Sequence, residues 1–335
     1  MRLVFITQQV DPGHPALAAT VPMIAALARR LDEVVVLADG AVPQTLPENC
    51  RVETFAAPAK VLRGLRFEAV LARELARRPA PVAVLAHMCP IYAVLAAPLA
   101  RPARVPVLLW FTHWRTSPLL RLAERLSSTV LTVDRSSFPL PSRKVRELGH
   151  GIDVTAFPCR EPPDNDPLHA LALGRYSPAK GYETLIRAAR RAGVWLTVHG
   201  PALTDEERRH REELRSLAGG AVELLDAVPR SEIPALLGRA DVLLNNNRTG
   251  TADKVVYEAG ASCVPAFASA ASFGSLLPEA LRFAREDDKG LAEALTAFAA
   301  LGREDRMQLG RDLRREVERG HSVESWADGV LAAAR

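Results

Sequence analysis

Aromatic side chains supply only 5% of the 335 residues, and the four cysteines, Cys50, Cys89, Cys159 and Cys263, are far apart. So few rings leave little for stacking on bases. With no nucleic-acid-binding motif present, no nucleic acid is expected as a partner. No cysteine pair has Cys-x-x-Cys or histidine-alternating spacing, so a zinc framework is excluded and four reduced thiols in a cytoplasmic protein are expected. Repeats and low-complexity tracts are missing too. The opening Met1–Gln9 is too short an apolar run for a signal peptide. The longest uncharged stretch, 82–100, has 19 residues and is interrupted by His87, Pro90 and Pro98. It reads as a buried strand followed by a helix rather than a membrane span.

What is present is ordinary globular material, 48% hydrophobic and 24% charged, in a length that suits two domains. The net charge of +4 is uneven: residues 1–153 carry +7 and the remainder −3. A basic first half favours an anionic partner such as a phosphate or a lipid headgroup.

Short apolar runs alternate with helical patterns along the chain. The spacing predicts strands at 3–10, 33–38, 51–56, 82–87, 105–112 and 129–133, with helices over 16–30 and 60–78. Residues 157–167 then carry four prolines and no periodicity, which reads as a linker. Beyond it, strands are predicted at 170–174, 195–199, 222–225, 242–245 and 265–268. Helices should begin near Lys180, Thr204, Ser231 and Asp253, and helical segments should close the chain from Asp287 to Ala334. Such alternation implies two doubly wound parallel sheets in tandem, each binding ligands beyond the C-terminal ends of its strands. The expected division is 1–153, a Pro-rich linker 154–167, a second domain 168–321, and a last segment 322–335 that crosses back to the first.

The most informative segment is Gly174-Arg175-Tyr176-Ser177-Pro178-Ala179-Lys180-Gly181. A strand ends at a glycine, and two cations flank a turn just before a helix. A forked guanidinium and a mobile ammonium suit a diphosphate, and a helix N-terminus adds a favourable field. The same residues read equally well as two solvated cations.

This segment resembles the opening of the donor domain of glycosyltransferase family 4. Gly149-His150-Gly151-Ile152-Asp153 resembles that family's interdomain Asn-Gly-Ile-Asp signature. Asp241–Asn245 and Lys254–Pro265 resemble its last donor motif. The resemblance implies a GT-B fold: two Rossmann-like domains facing a central cleft, the first for the acceptor and the second for the nucleotide-sugar. It implies retaining, metal-independent transfer from a UDP- or GDP-sugar to a hydroxyl acceptor, with no further cofactor. That acceptor is a glycolipid, a polysaccharide precursor or a small molecule.

By the same resemblance Arg175 and Lys180 grip the pyrophosphate, Glu258 holds the ribose, and His113, in Trp110-Phe111-Thr112-His113-Trp114, meets the donor sugar. A second family glutamate is missing: its position is Gly250. Thr251, Asp253, Lys254 and Val255 are the candidates for replacement contacts or for capping the helix, and His199 is a weaker donor-side candidate. Asp11, Gly13, His87 and His150 are assigned to the acceptor side, although Asp11–Pro15 reads equally well as a plain turn and His87 as a core group. Asp164-Asn165-Asp166 has a metal-binding form but no strand delivers it, so no metal site is assigned. The missing glutamate keeps a non-catalytic sugar-nucleotide-binding relative open, and the shared fold keeps an epimerase or phosphorylase open. Donor binding without transfer, epimerised product or phosphate dependence would distinguish these.

Over 60–78 the helical wheel places Val61, Leu65, Leu71, Ala72 and Leu75 on one face. Lys60, Arg63, Arg66, Arg73, Arg77 and Arg78 lie opposite, with Phe67 and Val70 among them. That arrangement suits the surface of an anionic membrane and equally an ordinary solvated face.

Overall fold

The computed structural model describes residues 1–14, 17–41, 46–161, 163, 165–248, 252–269 and 271–335. The chain divides into two compact units, Met1–Asp153 with Gly320–Arg335, and Val154–Arg319.

The first unit is a parallel sheet of seven strands, in the order β3-β2-β1-β4-β5-β6-β7. The strands are β1 (Arg2–Val10), β2 (Glu33–Ala41), β3 (Cys50–Thr54), β4 (Val84–His87), β5 (Val107–Trp110), β6 (Thr129–Thr132) and β7 (Val145–Glu147). The helices are α1 (Thr20–Ala28), α2 (Lys60–Ala76), α3 (Pro90–Ala100) and α4 (Pro118–Leu126), with the C-terminal helix Val323–Ala333 also in this unit. Leu3–Ile6 of β1 are apolar at every position because both sides of the strand are covered there. Leu3 and Phe5 point into one core with Leu27, Trp110 and Trp326. Val4 and Ile6 point into the other with Phe67, Leu71, Ala93 and Leu120. Each such large apolar side chain contributes about 1.5–3 kcal/mol by leaving water.

Three local devices set helix positions. Pro118 occupies the first turn of α4, and Ser117 Oγ accepts from Leu120 N at 3.0 Å. Ser322 Oγ accepts from Ser325 N at 3.1 Å and starts the C-terminal helix. Gly149 has φ +71°, and a Cβ there would meet the Gly320 carbonyl oxygen at 2.0 Å, so the returning chain can pass only over a glycine.

The face assignment of the 60–78 helix needs correction. In α2 the buried residues are Phe67, Leu71, Glu74 and Leu75, whereas Val61 and Leu65 are exposed. A carboxylate decides this orientation. Glu74, 1% exposed, takes Arg2 Nη1 at 3.0 Å, Arg51 Nη2 at 2.7 Å and Arg77 Nη1 at 2.9 Å. Arg63 pairs with Asp39 at 2.8 Å and Arg73 with Glu53 at 2.9 Å. Much of the helix's basic side therefore faces acids of the same unit.

The second unit is a five-stranded parallel sheet in the order β10-β9-β8-β11-β12. Its strands are β8 (His169–Leu173), β9 (Trp195–His199), β10 (Val222–Leu225), β11 (Val242–Asn245) and β12 (Ala266–Ala268). Its helices are α5 (Tyr182–Ala192), α6 (Asp205–Ala218), α7 (Ile233–Leu237), α8 (Lys254–Ala261), α9 (Asp288–Ala299) and α10 (Arg303–Gly320). Thr204 caps α6 by accepting from Glu207 N at 3.2 Å, and three acids occupy its first turn, which favours the helix N-terminus.

The expectation of four reduced thiols is also corrected. Cys159 and Cys263 are joined by a disulfide across 104 residues of sequence. The turn after α8 brings Cys263 to the segment before β8, with a Cα–Cα separation of 4.9 Å. Cys50 and Cys89 are thiols, each pushed up to about 11 by burial. Among the described residues no helix is long and apolar enough to cross a membrane.

Candidate functional site

In the second unit the chain builds outward from β8 through β9 to β10, then returns to place β11 on the other side of β8. The gap between β8 and β11 is therefore the topological switch point, where neighbouring loops leave in opposite directions and open a crevice. The loop after β8 carries Gly174–Gly181; β11 is followed by Asn246, Asn247 and Arg248, and Ala252 and Asp253 precede α8.

The two loops are joined by one ion pair. Lys180 Nζ lies 2.6 Å from Asp253 Oδ2. Asn245 Nδ2 donates to the same oxygen at 2.8 Å, and Asn247 Nδ2 to the other at 3.0 Å. Asn245 and Asn247 are each 4% exposed, so their amides are fixed by packing. The lysine's ammonium is thus aimed at the switch point by a carboxylate that is itself held by two side-chain amides.

The loop backbone is equally constrained. Tyr182 Oη donates to the Gly174 carbonyl at 2.8 Å, and the buried Tyr176 hydroxyl sits 2.9 Å from the Val198 carbonyl and 2.7 Å from that of Leu225. Arg248 N donates to the Ala179 carbonyl at 2.8 Å. Gly181 has φ +56°, and a Cβ there would meet Asn246 Nδ2 at 2.5 Å, so this turn requires glycine. Arg248 itself is clamped by Glu286, at 2.8 Å from Nε and 2.9 Å from Nη2. That bond, with Thr184 and Asn246, holds the Glu286 carboxyl at about 2 against the opposing effect of burial.

Arg175 leaves the end of β8 as an exposed guanidinium, 3.4 Å from the buried Glu207 carboxylate at the start of α6. His199 ends β9, with Nδ1 3.2 Å from the Asp226 carbonyl, and burial lowers its pKa so that the ring is neutral at pH 7.

Glu258 lies on α8 and is 4% exposed. Its Oε1 meets Arg230 Nη2 at 2.6 Å and Lys254 Nζ at 3.9 Å. The sequence reading missed Arg230. Its signal was a cation just after the Pro229 turn that follows β10, at the same strand edge. Asp253 is the N-cap residue of α8 but makes no capping hydrogen bond, since its side chain is turned to Lys180. Val255 belongs to the first turn of that helix. Gly250 and Thr251 lie outside the described residues, as does Asp164. Asn165, of the same Asp-x-Asp, donates to Asp241 at 2.8 Å.

In the first unit the switch point lies between β1 and β4. Asp11 follows β1 and closes a turn by accepting from Gly13 N at 2.8 Å. His87 ends β4 but is 6% exposed and stacked on Phe5 at 5.5 Å, so it belongs to the core. His150 lies between Gly149 and Gly151, both with positive φ, beside the returning chain.

His113 follows β5 and is exposed. Its Nδ1 accepts from Arg115 N at 3.0 Å, and its ring stacks on Trp114 at 5.6 Å. Burial and the nearby Arg115 charge hold its pKa below the usual value of 6.5. The neutral ring therefore carries its proton on Nε2, which points the donor away from the backbone.

Residues 155–277, which span the β8–β12 sheet and its ligand edge, match the family model described as glycosyl transferases group 1. Similarity of fold extends over the whole chain. A structure of the Anabaena protein HepE in complex with UDP is 18% identical, with 99% of each chain covered and a TM-score of 0.75. Sucrose-phosphate synthase from Thermosynechococcus elongatus is 16% identical, covering 98% of this chain and 97% of that one, with a TM-score of 0.71. The lipopolysaccharide outer core galactosyltransferase WaaB is 12% identical, with 99% of each chain covered and a TM-score of 0.69. At these identities the likeness is one of fold, and that fold is GT-B. No curated protein sequence matches the chain.

Proposed function

We propose that this protein is a glycosyltransferase that moves a hexosyl group from a UDP-sugar to a hydroxyl acceptor, with retention of anomeric configuration and without a metal ion. The observation that carries the reading is the Lys180–Asp253 pair at the β8–β11 switch point, beside the N-terminus of α8. A diphosphate entering there takes the lysine's charge, and Arg175 and the helix end add to it. Glu258, steadied by Arg230 and Lys254, is assigned to the ribose, since a carboxylate accepts two bonds from a vicinal diol. The uridine base is supported by HepE, whose structures hold UDP and UDP-glucose.

In the proposed step the acceptor oxygen bonds to the anomeric carbon on the face that the diphosphate leaves. The carbon–oxygen bond to the β-phosphate breaks, and the acceptor's proton passes to the departing phosphate oxygen. Negative charge grows on the diphosphate, where Lys180 and Arg175 are aimed, so these cations take the part that Mg²⁺ plays elsewhere. Two readouts test this. Transfer should persist in excess EDTA, and the product's anomeric coupling should match the donor's. EDTA-sensitive transfer restored by Mg²⁺, or an inverted product, would overturn the corresponding part.

His113 is assigned the contact with the transferring sugar, as a donor through Nε2. His113→Ala should therefore lower turnover far more than donor affinity. Because its pKa lies below 6.5, the turnover that depends on it should persist as pH falls through 6.5 and decline only in more acid solution. Unchanged turnover in the variant would make this histidine a structural residue.

A further inference from the structure

The exposed large apolar residues are not scattered. Among the described residues there are nine, and six of them lie in two short segments of the first unit. Val61, Leu62 and Leu65 occupy the first turns of α2; Trp114, Leu119 and Leu122 precede and open α4. Val61 is 76% exposed, Leu65 58% and Trp114 48%.

The topology puts these segments together. In a parallel sheet each helix starts where a strand ends, so α2, α3 and α4 all begin at the C-terminal edge. All three helices cover the same face of the sheet, and α3 lies against both of the others. At roughly 8–10 Å per neighbouring helix pair, the two segments are about 20 Å apart along one rim. On α4 the sheet already takes Leu120 and Ala123, leaving Leu119 and Leu122 on the outward side at an i, i+3 spacing. A helix with leucines on both faces has a second apolar surface to cover.

Charge says what covers it. Residues 60–70 and 114–126 hold six cations and two carboxylates. Arg63 is engaged by Asp39, and Arg66 is turned to the Ala56 carbonyl. Lys60, Arg115, Arg121 and Arg125 have no carboxylate within 4 Å among the described residues. Arg115 lies over the Trp114 ring at 4.9 Å, and one of the two carboxylates, Glu124, accepts from Ser142 at 2.6 Å. Apolar side chains to insert, a half-exposed tryptophan and unpaired cations around them match the interface of an anionic bilayer.

We propose that this rim, formed by the first turns of α2 and by the 114–122 segment before and within α4, docks the first unit on an anionic lipid surface. Arg73 and Arg77, which the sequence placed on the lipid side, have no part in it, because they serve Glu53, Glu33 and Glu74. The inference is independent of the donor chemistry. Its readout is vesicle flotation, while transfer to a water-soluble acceptor reports separately on the proposed function.

The full-length protein should float with phosphatidylcholine vesicles containing phosphatidylglycerol, not with phosphatidylcholine alone, and binding should weaken as salt rises. Replacing Val61, Leu65, Leu119 and Leu122 by Ser should reduce the bound fraction at least tenfold. Replacing Lys60, Arg121 and Arg125 by Ser should remove the dependence on phosphatidylglycerol. Both variants should keep their circular dichroism spectrum and their transfer to a soluble acceptor. Tryptophan emission should shift to the blue on vesicle addition, and Trp114→Phe should lose that shift while still floating. Absence of wild-type binding to the anionic vesicles would overturn the proposal, as would equal binding by the apolar variant. A solution mass that halves on the same apolar substitutions would also overturn it, assigning the rim to a second copy of the chain.

Discussion

Lys180→Ala should slow transfer about 10²–10³-fold with the fold intact, the usual cost of removing one preorganised electrostatic partner of a developing charge. Arg175→Ala should lose a similar factor. A cation already held in place costs no reorganisation when the glycosidic bond breaks, so it acts more on the transition state than on the bound donor. Lys180 meets that condition because Asp253 fixes its ammonium, at 2.6 Å, from a carboxylate anchored by Asn245 and Asn247. Asp253 is thus a positioning residue, and its effect should run through the lysine. Asp253→Ala alone should cost less than Lys180→Ala, and the double variant should cost no more than Lys180→Ala. Glu258→Ala should behave differently. It should weaken binding of the free nucleoside diphosphate as well as of the donor, because its proposed partner is ribose. Calorimetry and initial rates on the five variants check this. Near-normal rates for both Lys180→Ala and Arg175→Ala would remove the donor site from the β8–β11 switch point.

The second large effect is on stability. Glu74→Ala should destabilise the first unit by about 3–5 kcal/mol, the range for breaking a buried ion pair from one side. The variant strands Arg2, which is 5% exposed and has Glu74 as its close carboxylate partner at 3.0 Å. It also releases Arg51 and Arg77. Two units make a single unfolding free energy ill-defined, so hydrogen exchange on peptides from each unit is the appropriate measurement. Protection should fall in β1, β3 and α2 and hold in β8–β12. Equal protection in both proteins would show that the network is dispensable.

The same carboxylate predicts an acid limit. Burial alone would raise the Glu74 pKa, but the bonds from Arg51 and Arg77 outweigh it and hold the group below its ordinary value of 4.5. A folded-state pKa below the unfolded one means the contribution is complete above about 4.5 and is lost as pH falls through the folded value. The first unit of the wild type should lose stability in that acid range, and Glu74→Ala should lack this component.

The sequence alone was enough for the repeating plan. Strands of 4–9 residues with apolar runs and the caps and glycines between them are short-range signals, so β9, β10 and β11 fall at the predicted residues. The same reading placed the helix at 16–30 too early, since α1 begins at Thr20. It also overlooked α4 and β7, which are short and owe their place to neighbours already in the sheet. Periodicity could not choose the face of α2. The choice depended on Glu74 meeting Arg2, 72 residues away, and a wheel drawn on one helix contains no information about partners elsewhere.

At the site, the sequence picked out Lys180, Arg175 and Glu258 through family resemblance and strand-end chemistry. Tertiary structure decided what each of them touches. Asp253 follows Lys180 by 73 residues, and Arg230 precedes Glu258 by 28. Cys159 and Cys263 are joined although 104 residues apart. Contacts of that kind arise when a crossover returns a strand beside an earlier one. They are products of topology, and nothing in the local order of side chains encodes them.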